Sequence, residues 1–162
     1  MSGTIEEVTK QVRPDGGVVV GDDGSPDAAV ALRYALEEAR RRQSTLHVIR
    51  AWSIMSTSRP VEVPPGIAAS LGEYEAAAML EERTRVDNLL GETPGVPVEV
   101  HVVHRPAAPA LIEASETADV LVVGSRGRGG FRSLVLGSVA EQCIRHAEGP
   151  VVVVRHTRDP ES

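Results

Sequence analysis

Short runs of consecutive apolar residues recur along the chain and are separated by amphipathic or polar stretches. Three of these runs consist mainly of valine and leucine, at 17–21, 120–123 and 151–155. A run of this kind, without alternation, suits a strand that is buried on both faces of a parallel sheet. Two further segments, 45–52 and 97–103, also predict strands. In the second of them valine alternates with polar residues, which indicates a less buried position in the sheet.

The stretches between these runs have the periodicity of helices. The first begins after Ser25 and Pro26, and its apolar residues recur three and four positions apart from Ala28 to Ala39, which is the pattern of an amphipathic helix. Ser25 is a good N-cap and Pro26 a good first helical residue. Similar patterns predict three more helices, over 73–90, 107–117 and 139–145.

Strands and helices therefore alternate along the whole chain. This order predicts an α/β fold in which an open parallel sheet carries helices on both faces, connected by right-handed crossovers. A length of 162 residues fits one domain with an adequate core. We predict a flexible leader over residues 1–16, a single α/β domain over 17–156 and a polar tail over 157–162.

A loop rich in glycine and arginine follows the apolar run at 120–123. Glycine lets backbone amides approach a ligand closely and adopts positive φ without strain. A strand, a glycine loop and a helix N-terminus together offer free N–H groups to a phosphate. The arginines make the local charge positive. The residues of this loop that carry the interpretation are Gly124, Arg126, Gly127, Arg128, Gly129, Gly130 and Arg132.

The spacing of these glycines distinguishes between known phosphate-binding motifs. The P-loop pattern is absent, because no Lys-Ser or Lys-Thr follows a glycine here, and the pattern G-x-G-x-x-G fails because its last position falls on Arg132. Gly124, Gly127, Gly137 and Ser138 instead form G-x-x-G, nine residues, then G-S. This spacing resembles the ATP-binding motif of the universal stress protein family. A glycine-rich turn that binds no ligand is the alternative interpretation.

The resemblance extends from residue 17 to residue 155 and has structural implications. It implies a Rossmann-like sheet of five strands in the order 3-2-1-4-5. It also implies a homodimer, often formed through the last strand, and the all-valine run at 151–154 is consistent with an exposed edge that pairs. The implied ligand is ATP, with Mg²⁺ held mostly by phosphate oxygens and water.

The resemblance also assigns residues to the nucleotide. The turn Asp23-Gly24-Ser25 matches the family's Asp-Gly-Ser turn, whose Asp contacts the nucleoside, and Ala51 matches a position that lines the adenine pocket. The triphosphate would lie over the amides of 127–130 and at the start of the following helix. The implied nucleotide-binding residues are Asp23, Gly24, Ser25, Ala51, Gly124, Ser125, Gly127, Arg128, Gly130, Gly137, Ser138 and Val139.

Several polar residues near the strand ends have no assigned role. Asp22 stands where family members commonly have an apolar residue, so we expect an extra negative charge near the site. His47 has no Cys, Asp or His at metal-ligand spacing close by, so we expect a partly exposed sheet histidine and predict no metal site. His104 and Arg105 either approach the nucleotide or simply form a polar turn.

Composition excludes several classes of function. A formal charge of −6 and an aromatic content of 2% argue against a nucleic-acid binder, which usually has a basic face and stacking aromatics. The single cysteine, Cys143, excludes an internal disulfide and is compatible with a reducing compartment. We see neither an apolar run long enough to span a membrane nor the apolar core of a signal peptide. The expected location is the cytoplasm.

These observations favour an ATP-binding regulatory protein of the stress response, with slow hydrolysis at most. The sequence shows no placed general base, arginine finger or Walker-type lysine, so we predict no dedicated catalytic residue. A second possibility is a nucleotide-free dimer that works through protein partners. The irregular segment 53–72 is either a partner surface or lid, or filler. A nucleotidyl-transferring enzyme ranks last.

Overall fold

The computed structural model of the chain describes residues 8–128 and 136–156. Within these ranges five strands and four helices alternate. They are β1 (Val18–Gly21), α1 (Pro26–Arg42), β2 (Leu46–Ala51), α2 (Leu71–Leu90), β3 (Val98–Val103), α3 (Ala107–Ser115), β4 (Val120–Gly124), α4 (Ser138–His146) and β5 (Val151–Val154). Every predicted strand and helix is present, with boundaries one or two residues from the predicted ones.

The five described strands form one parallel sheet in the order β3-β2-β1-β4-β5. This confirms the predicted α/β class, the Rossmann-like architecture and the order 3-2-1-4-5. β1 lies at the centre, between β2 and β4, and the strand order reverses at this point. In open parallel sheets, ligands bind outside the carboxyl ends of the strands at such a switch point.

The helices cover both faces of the sheet, as predicted. On one face α1 and α2 pack on Val18 and Val20 of β1, and on the other face α3 and α4 pack on Val19. The alternation follows from the strand geometry, which points successive side chains to opposite faces. None of the helices in the two described ranges is long and apolar enough to cross a membrane.

Polar side chains fix where the two long helices begin. In α1 the Ser25 hydroxyl accepts a hydrogen bond from the Ala28 N–H at 3.1 Å, which is the N-cap predicted from the sequence. In α2 the Ser70 hydroxyl accepts from the Glu73 N–H, and the Glu73 carboxylate accepts from the Ser70 N–H. This capping box explains why α2 begins two residues before the position predicted from its apolar pattern.

Residues 8–16, the second half of the predicted leader, pack against the domain. Val8 and Val12 are buried. The Thr9 carbonyl accepts from the His104 N–H at 2.9 Å, and the Arg13 guanidinium pairs with Glu113 at 2.9 Å. The remaining leader residues and the predicted tail over 157–162 lie outside the described residues, so the division of the chain into leader, domain and tail stays a prediction.

The segment between β2 and α2 is irregular but internally organised. The Arg59 guanidinium donates to the carbonyl oxygens of Pro64 at 2.9 Å and Ile67 at 2.6 Å. The segment also presents apolar side chains to solvent, since Met55 is 95% and Val61 96% exposed. The Arg59 guanidinium thus holds the segment in a closed loop by hydrogen bonds, and the Met55 and Val61 side chains of this loop face solvent.

Candidate functional site

A cavity of about 470 Å³ opens at the carboxyl ends of β1, β2 and β4. One part of its wall is apolar, and the other part consists of glycines, arginines and the start of α4. A cavity of this size falls within the range of small-molecule sites, roughly 300–1,000 Å³. The lining residues are Gly21, Asp22, Asp23, Ser25, Ala28, Ile49, Ala51, Ala107, Leu111, Val123, Gly124, Arg126, Gly127, Arg128, Gly137, Ser138, Val139 and Ala140.

Most of the residues predicted at the nucleotide meet at this cavity. Those that line it are Asp23, Ser25, Ala51, Gly124, Gly127, Arg128, Gly137, Ser138 and Val139. Gly24 and Ser125 lie beside the cavity without lining it. Gly130 lies outside the described residues. The sequence therefore brings together residues more than a hundred positions apart, because the carboxyl ends of β1 and β4 meet at one edge of the sheet.

Asp23 connects the turn after β1 with the glycine loop after β4. One carboxylate oxygen accepts from the Ser25 N–H at 2.9 Å, and the other accepts from the Arg128 N–H at 3.1 Å. The carboxylate is therefore held in place by two backbone donors on different segments. It forms the polar edge of the cavity beside Ser25 and Gly127.

Close packing explains two of the glycines. A Cβ at Gly127 would lie 2.7 Å from the Asp23 carboxylate oxygen, and a Cβ at Gly124 would lie 3.0 Å from the Asp27 backbone. Gly24 has φ +83°, and a Cβ there would lie 3.2 Å from the guanidinium groups of Arg50 and Arg128. A larger residue at Gly127 would therefore displace Asp23 or the loop.

The N-terminus of α4 faces the cavity. Its N-cap is Gly137, and no side chain of the described residues caps it. The Gly137 N–H itself donates to the Ser125 carbonyl at 2.6 Å. As far as the described residues show, the first N–H groups of this nine-residue helix therefore remain available to an anion, and the partial positive charge of the helix end favours one.

Asp27 anchors this arrangement, although the sequence did not indicate it. Its side chain is buried at the first turn of α1. One oxygen accepts from the Ser125 hydroxyl at 2.7 Å and the Arg126 N–H at 3.1 Å, and the other accepts from the His156 N–H at 3.3 Å. Sequence reasoning treats an acidic residue here only as a helix-dipole partner, so its contacts with the β4 loop were missed.

Asp22 lines the cavity, as expected of a charge near the site, but its carboxylate is paired rather than free. Its carboxylate is buried, accepts from the Gly24 N–H at 2.9 Å and pairs with the Arg85 Nε at 2.7 Å. Burial by itself would raise the pKa of Asp22, but hydrogen bonds from Glu82, Arg85 and the Gly24 backbone outweigh it and lower the pKa. The charge is neutralised by α2 on the opposite face of the sheet from α3 and α4.

The apolar wall contains residues that the sequence analysis did not single out. Ile49 precedes Ala51 by two positions and points to the same face of β2, and Val123 occupies the corresponding place at the end of β4. Ala107 and Leu111 belong to α3. The period of two in a strand could have found Ile49 from Ala51. The contribution of α3 depends on how that helix packs and has no local signal.

His47 differs from its predicted environment. It is 7% exposed, and its Nδ1 lies 3.2 Å from the His101 Nε2 and 3.3 Å from a Glu99 carboxylate oxygen. Burial lowers the pKa of both imidazoles. The partners of His47 lie far from it in the chain, because both come from the neighbouring strand β3. This cluster is not part of the cavity described above.

Residues His101 and His104 have the spacing His-x-x-His, which nucleotidyl-transferring enzymes use, but neither lines the cavity. The His104 ring lies against the Trp52 ring, with centroids 4.5 Å apart. Arg105 pairs with Glu113. These contacts describe a polar turn between β3 and α3 that lies outside the cavity.

The sequence model of the universal stress protein family matches residues 17–155. Among curated proteins, Universal stress protein Rv1996 of Mycobacterium tuberculosis H37Rv is 38% identical over 160 residues, which cover 96% of this chain and 49% of the relative. Universal stress protein Rv2005c of the same strain is 39% identical over 140 residues, covering 86% and 45%. The chain thus spans about half the length of the curated relatives it matches.

Solved structures show the same relationship. The universal stress protein from Archaeoglobus fulgidus, in complex with dAMP, is 26% identical, and the match covers 86% of this chain and 97% of that chain with a TM-score of 0.57. UspA from Lactobacillus plantarum shares the fold at 20% identity, covering 90% and 100%, with a TM-score of 0.60. Together with the match over residues 17–155, these findings establish that the chain belongs to the universal stress protein family.

Proposed function

We propose that this protein binds ATP in the cavity at the carboxyl ends of β1, β2 and β4 and acts as a nucleotide-dependent regulatory protein of the stress response. The observation that carries the proposal is the division of the cavity into an apolar wall and a wall of backbone donors and arginines. The relative from Archaeoglobus fulgidus supports it, because that protein was solved in complex with dAMP.

The apolar wall suits the adenine base. Ile49, Ala51, Leu111 and Val123 present aliphatic surface from β2, α3 and β4, and the flat base would exclude water from it. Each 100 Å² of apolar surface removed from water contributes about 2.5 kcal/mol. Asp23 lies at the polar edge of this wall, where a carboxylate accepts hydrogen bonds from ribose hydroxyl groups.

The opposite wall suits the phosphates. Arg126 and Arg128 line it together with Gly127, Gly137 and Ser138. A phosphate placed at the start of α4 would accept from free backbone N–H groups, and each charge-assisted hydrogen bond contributes roughly 1.5–3 kcal/mol. The two glycines let the loop pack closely, because a Cβ at Gly127 would lie 2.7 Å from the Asp23 carboxylate and a Cβ at Gly137 would lie 3.2 Å from the Arg126 Cα.

The same donor set leaves little for a metal ion to bind directly. The Asp23 carboxylate already accepts from Ser25 and Arg128, and the other lining groups near the phosphates are donors. Mg²⁺ would therefore be held mostly by phosphate oxygens and water, as is usual for this ion. Its contribution would be to neutralise phosphate charge, so the protein needs no metal cage for the nucleotide.

Hydrolysis, if it occurs, is slow in this proposal. Asp23 is the carboxylate at the edge of the cavity, and both of its oxygens are engaged by backbone donors, so it is poorly placed as a general base. Efficient phosphoryl transfer requires a residue that orients the attacking water. A nucleotide that stays bound for a long time suits a regulatory role better than a catalytic one.

A second candidate function, binding of a protein partner, is favoured by the exposed loop before α2. Met55 and Val61 present almost their whole side chains to solvent, and exposed apolar groups of this kind often mark contact surfaces. The loop begins directly after β2, and Ala51 at the end of β2 lines the nucleotide cavity. One protein could therefore bind a nucleotide and a partner at neighbouring places.

We also propose a homodimer formed through β5. This strand is outermost among the described strands, and Val151, Val152, Val153 and Val154 are all half-buried. An apolar edge strand readily pairs with another chain. Sedimentation equilibrium is expected to give twice the mass of one chain, and a single-chain mass at every concentration would contradict the dimer.

The experiment that tests the nucleotide site compares ATP binding by the wild type and Gly127→Ala. The new methyl group would push the Asp23 carboxylate and the loop apart, so we expect the Kd for ATP to rise at least about tenfold, equivalent to about 1.4 kcal/mol. Calorimetric titration of the nucleotide-stripped protein provides the measurement.

Gly149→Ala is the matched control. Gly149 does not have a positive φ, and a Cβ there would only touch the Ser115 carbonyl oxygen at 3.8 Å. This variant should bind ATP like the wild type. Equal affinity of the wild type and a folded Gly127→Ala variant would show that ATP does not bind at this cavity.

A further inference from the structure

We propose that His47, Glu99 and His101 form a binding site for a divalent transition-metal ion of the Zn²⁺ class. The site lies on β2 and β3, towards the amino ends of the strands, whereas the nucleotide cavity lies at their carboxyl ends. The proposal is independent of ATP binding.

The register of the sheet brings the three side chains together. β2 and β3 pair in parallel with His47 opposite Glu99 and Ile49 opposite His101. Residues two apart on a strand, and partners directly opposite each other, point to the same face. His47, Glu99 and His101 therefore share the face that carries α3 and α4, and the two imidazole rings stack with centroids 5.4 Å apart.

The distances between the ligand atoms match those of a tetrahedral metal site. His47 Nδ1 lies 3.2 Å from His101 Nε2 and 3.3 Å from a Glu99 carboxylate oxygen. The same oxygen lies 3.6 Å from His101 Nε2. With metal–ligand bonds of about 2.0–2.1 Å, neighbouring ligands of a tetrahedron are about 3.3–3.4 Å apart. The ion would fit above this triangle with small movements of the side chains.

One hydrogen bond can join His47 Nδ1 and His101 Nε2, in which one nitrogen donates and the other accepts. The two nitrogens and the Glu99 oxygen also lie close enough together to offer their lone pairs to a single ion. A metal ion would satisfy all three lone pairs at once. The His47 ring lies against Gly17, where a Cβ would be 3.3 Å from its Nε2, so the absence of a side chain at Gly17 leaves room for the ring.

The ligand types select the class of ion. Two imidazoles and one carboxylate are typical of Zn²⁺, Co²⁺, Ni²⁺ and Cu²⁺, whereas Mg²⁺ and Ca²⁺ prefer oxygen ligands. The three groups border a second cavity, of about 470 Å³, between the strands and residues 11–15. A water molecule or an exogenous ligand could therefore occupy a fourth position on the side of that cavity, as in open zinc sites.

The test uses the full chain without an affinity tag, stripped of nucleotide and metal, and titrated with Zn²⁺ alone. The sequence has five histidines, so long-range ¹H–¹⁵N spectra of the imidazoles resolve the response residue by residue. We expect the signals of His47 and His101 to shift saturably at one equivalent, while those of His104, His146 and His156 stay in place. Co²⁺ should give the visible absorption of a tetrahedral or five-coordinate ion.

Variants assign the ligands without unfolding the protein. Glu99 is largely exposed, so Glu99→Gln should keep the fold and weaken Zn²⁺ binding at least about tenfold. His101→Gln should weaken it further. His146→Gln is the matched control, because His146 is an exposed histidine on α4, and it should bind Zn²⁺ like the wild type.

Two results would overturn the proposal. The first is a wild-type spectrum in which all five imidazoles respond equally or none responds to Zn²⁺. The second is unchanged affinity in both Glu99→Gln and His101→Gln, with each variant folded. Either result would leave the cluster as a pair of hydrogen-bonded histidines beside an exposed glutamate.

Discussion

Glu82 lies on α2 with only 1% of its surface exposed, beside the carboxyl group of Asp22. Burial, followed by the hydrogen bond with Asp22, raises the pKa of Glu82 to about 9. Arg50 lies 3.7 Å away, which is too far for a hydrogen bond. At neutral pH Glu82 is therefore protonated in the folded protein and donates to the Asp22 carboxylate, whereas it is ionised in the unfolded chain.

This difference in protonation predicts a pH-dependent gain of stability in Glu82→Gln. Below the ordinary pKa of 4.5, Glu82 is protonated in both the folded and the unfolded protein, so its protonation does not lower the free energy of unfolding. As the pH rises towards 9, the unfolded chain releases a proton that the folded protein keeps, which costs up to about 1.4 kcal/mol of unfolding free energy per pH unit. Glutamine avoids this cost and can still donate to Asp22.

Urea unfolding at pH 5 and pH 8 provides the measurement. The advantage of Glu82→Gln over the wild type should grow with pH, to the order of 1–3 kcal/mol at pH 8. Glu81→Gln, at an exposed position of the same helix, should show no such trend. A constant difference at both pH values would mean that Glu82 is ionised in the folded protein.

At the residue scale, the sequence identified side chains whose roles depend on local motifs. Asp23, Gly127 and Gly137 line the cavity, and the sequence singles them out because their spacing is a property of the chain itself. Their contact with a nucleotide stays a prediction. Asp27 was missed because its partners lie about a hundred residues away. Asp22 was misjudged because its environment is set by Arg85 of α2, which no local pattern connects to β1.

At the scale of elements, Asp27 ties three segments together. It belongs to α1, and its carboxylate accepts from Ser125 and Arg126 after β4 and from His156 after β5. The first residues of the glycine loop that borders the cavity are therefore held in place by hydrogen bonds to Asp27. Without this carboxylate, donors on two neighbouring segments, among them the buried Ser125 hydroxyl, would lose their partner.

We accordingly expect Asp27→Ala to lower the unfolding free energy by about 2–4 kcal/mol, because the buried Ser125 hydroxyl and the Arg126 N–H become unsatisfied. ATP affinity should fall as well, since the loop is no longer held. Chemical unfolding and ATP titration of the same preparation measure both effects. Asp87→Ala, at an exposed position of α2, is the control and should change neither quantity.

The order of the elements was predictable, but their pairing was less so. Uninterrupted valine runs, helical periods and the Ser25 cap predict each strand and helix from local chemistry. The contacts between β2 and β3 depend on register, and only the register places His47 opposite Glu99 and close to His101. A reading of each strand by itself could not bring these three residues together.

At the scale of the whole molecule, the nucleotide cavity and the histidine cluster lie towards opposite ends of the strands of one sheet. The nucleotide cavity lies at the carboxyl ends of its strands, and the histidine cluster lies on β2 and β3 towards their amino ends. The chain spans about half the length of the curated relatives it matches. The strand order β3-β2-β1-β4-β5 was implied by the family resemblance, and it places the switch point at the cavity.

The central claim is that this cavity holds one ATP. The most direct measurement is calorimetric titration of the nucleotide-stripped wild type with ATP and Mg²⁺, together with mass analysis of any nucleotide that co-purifies. Our account predicts saturable binding at one nucleotide per chain, weakened in Gly127→Ala and unchanged in Gly149→Ala. A folded wild-type protein that shows no heat of binding and no co-purified nucleotide would contradict it.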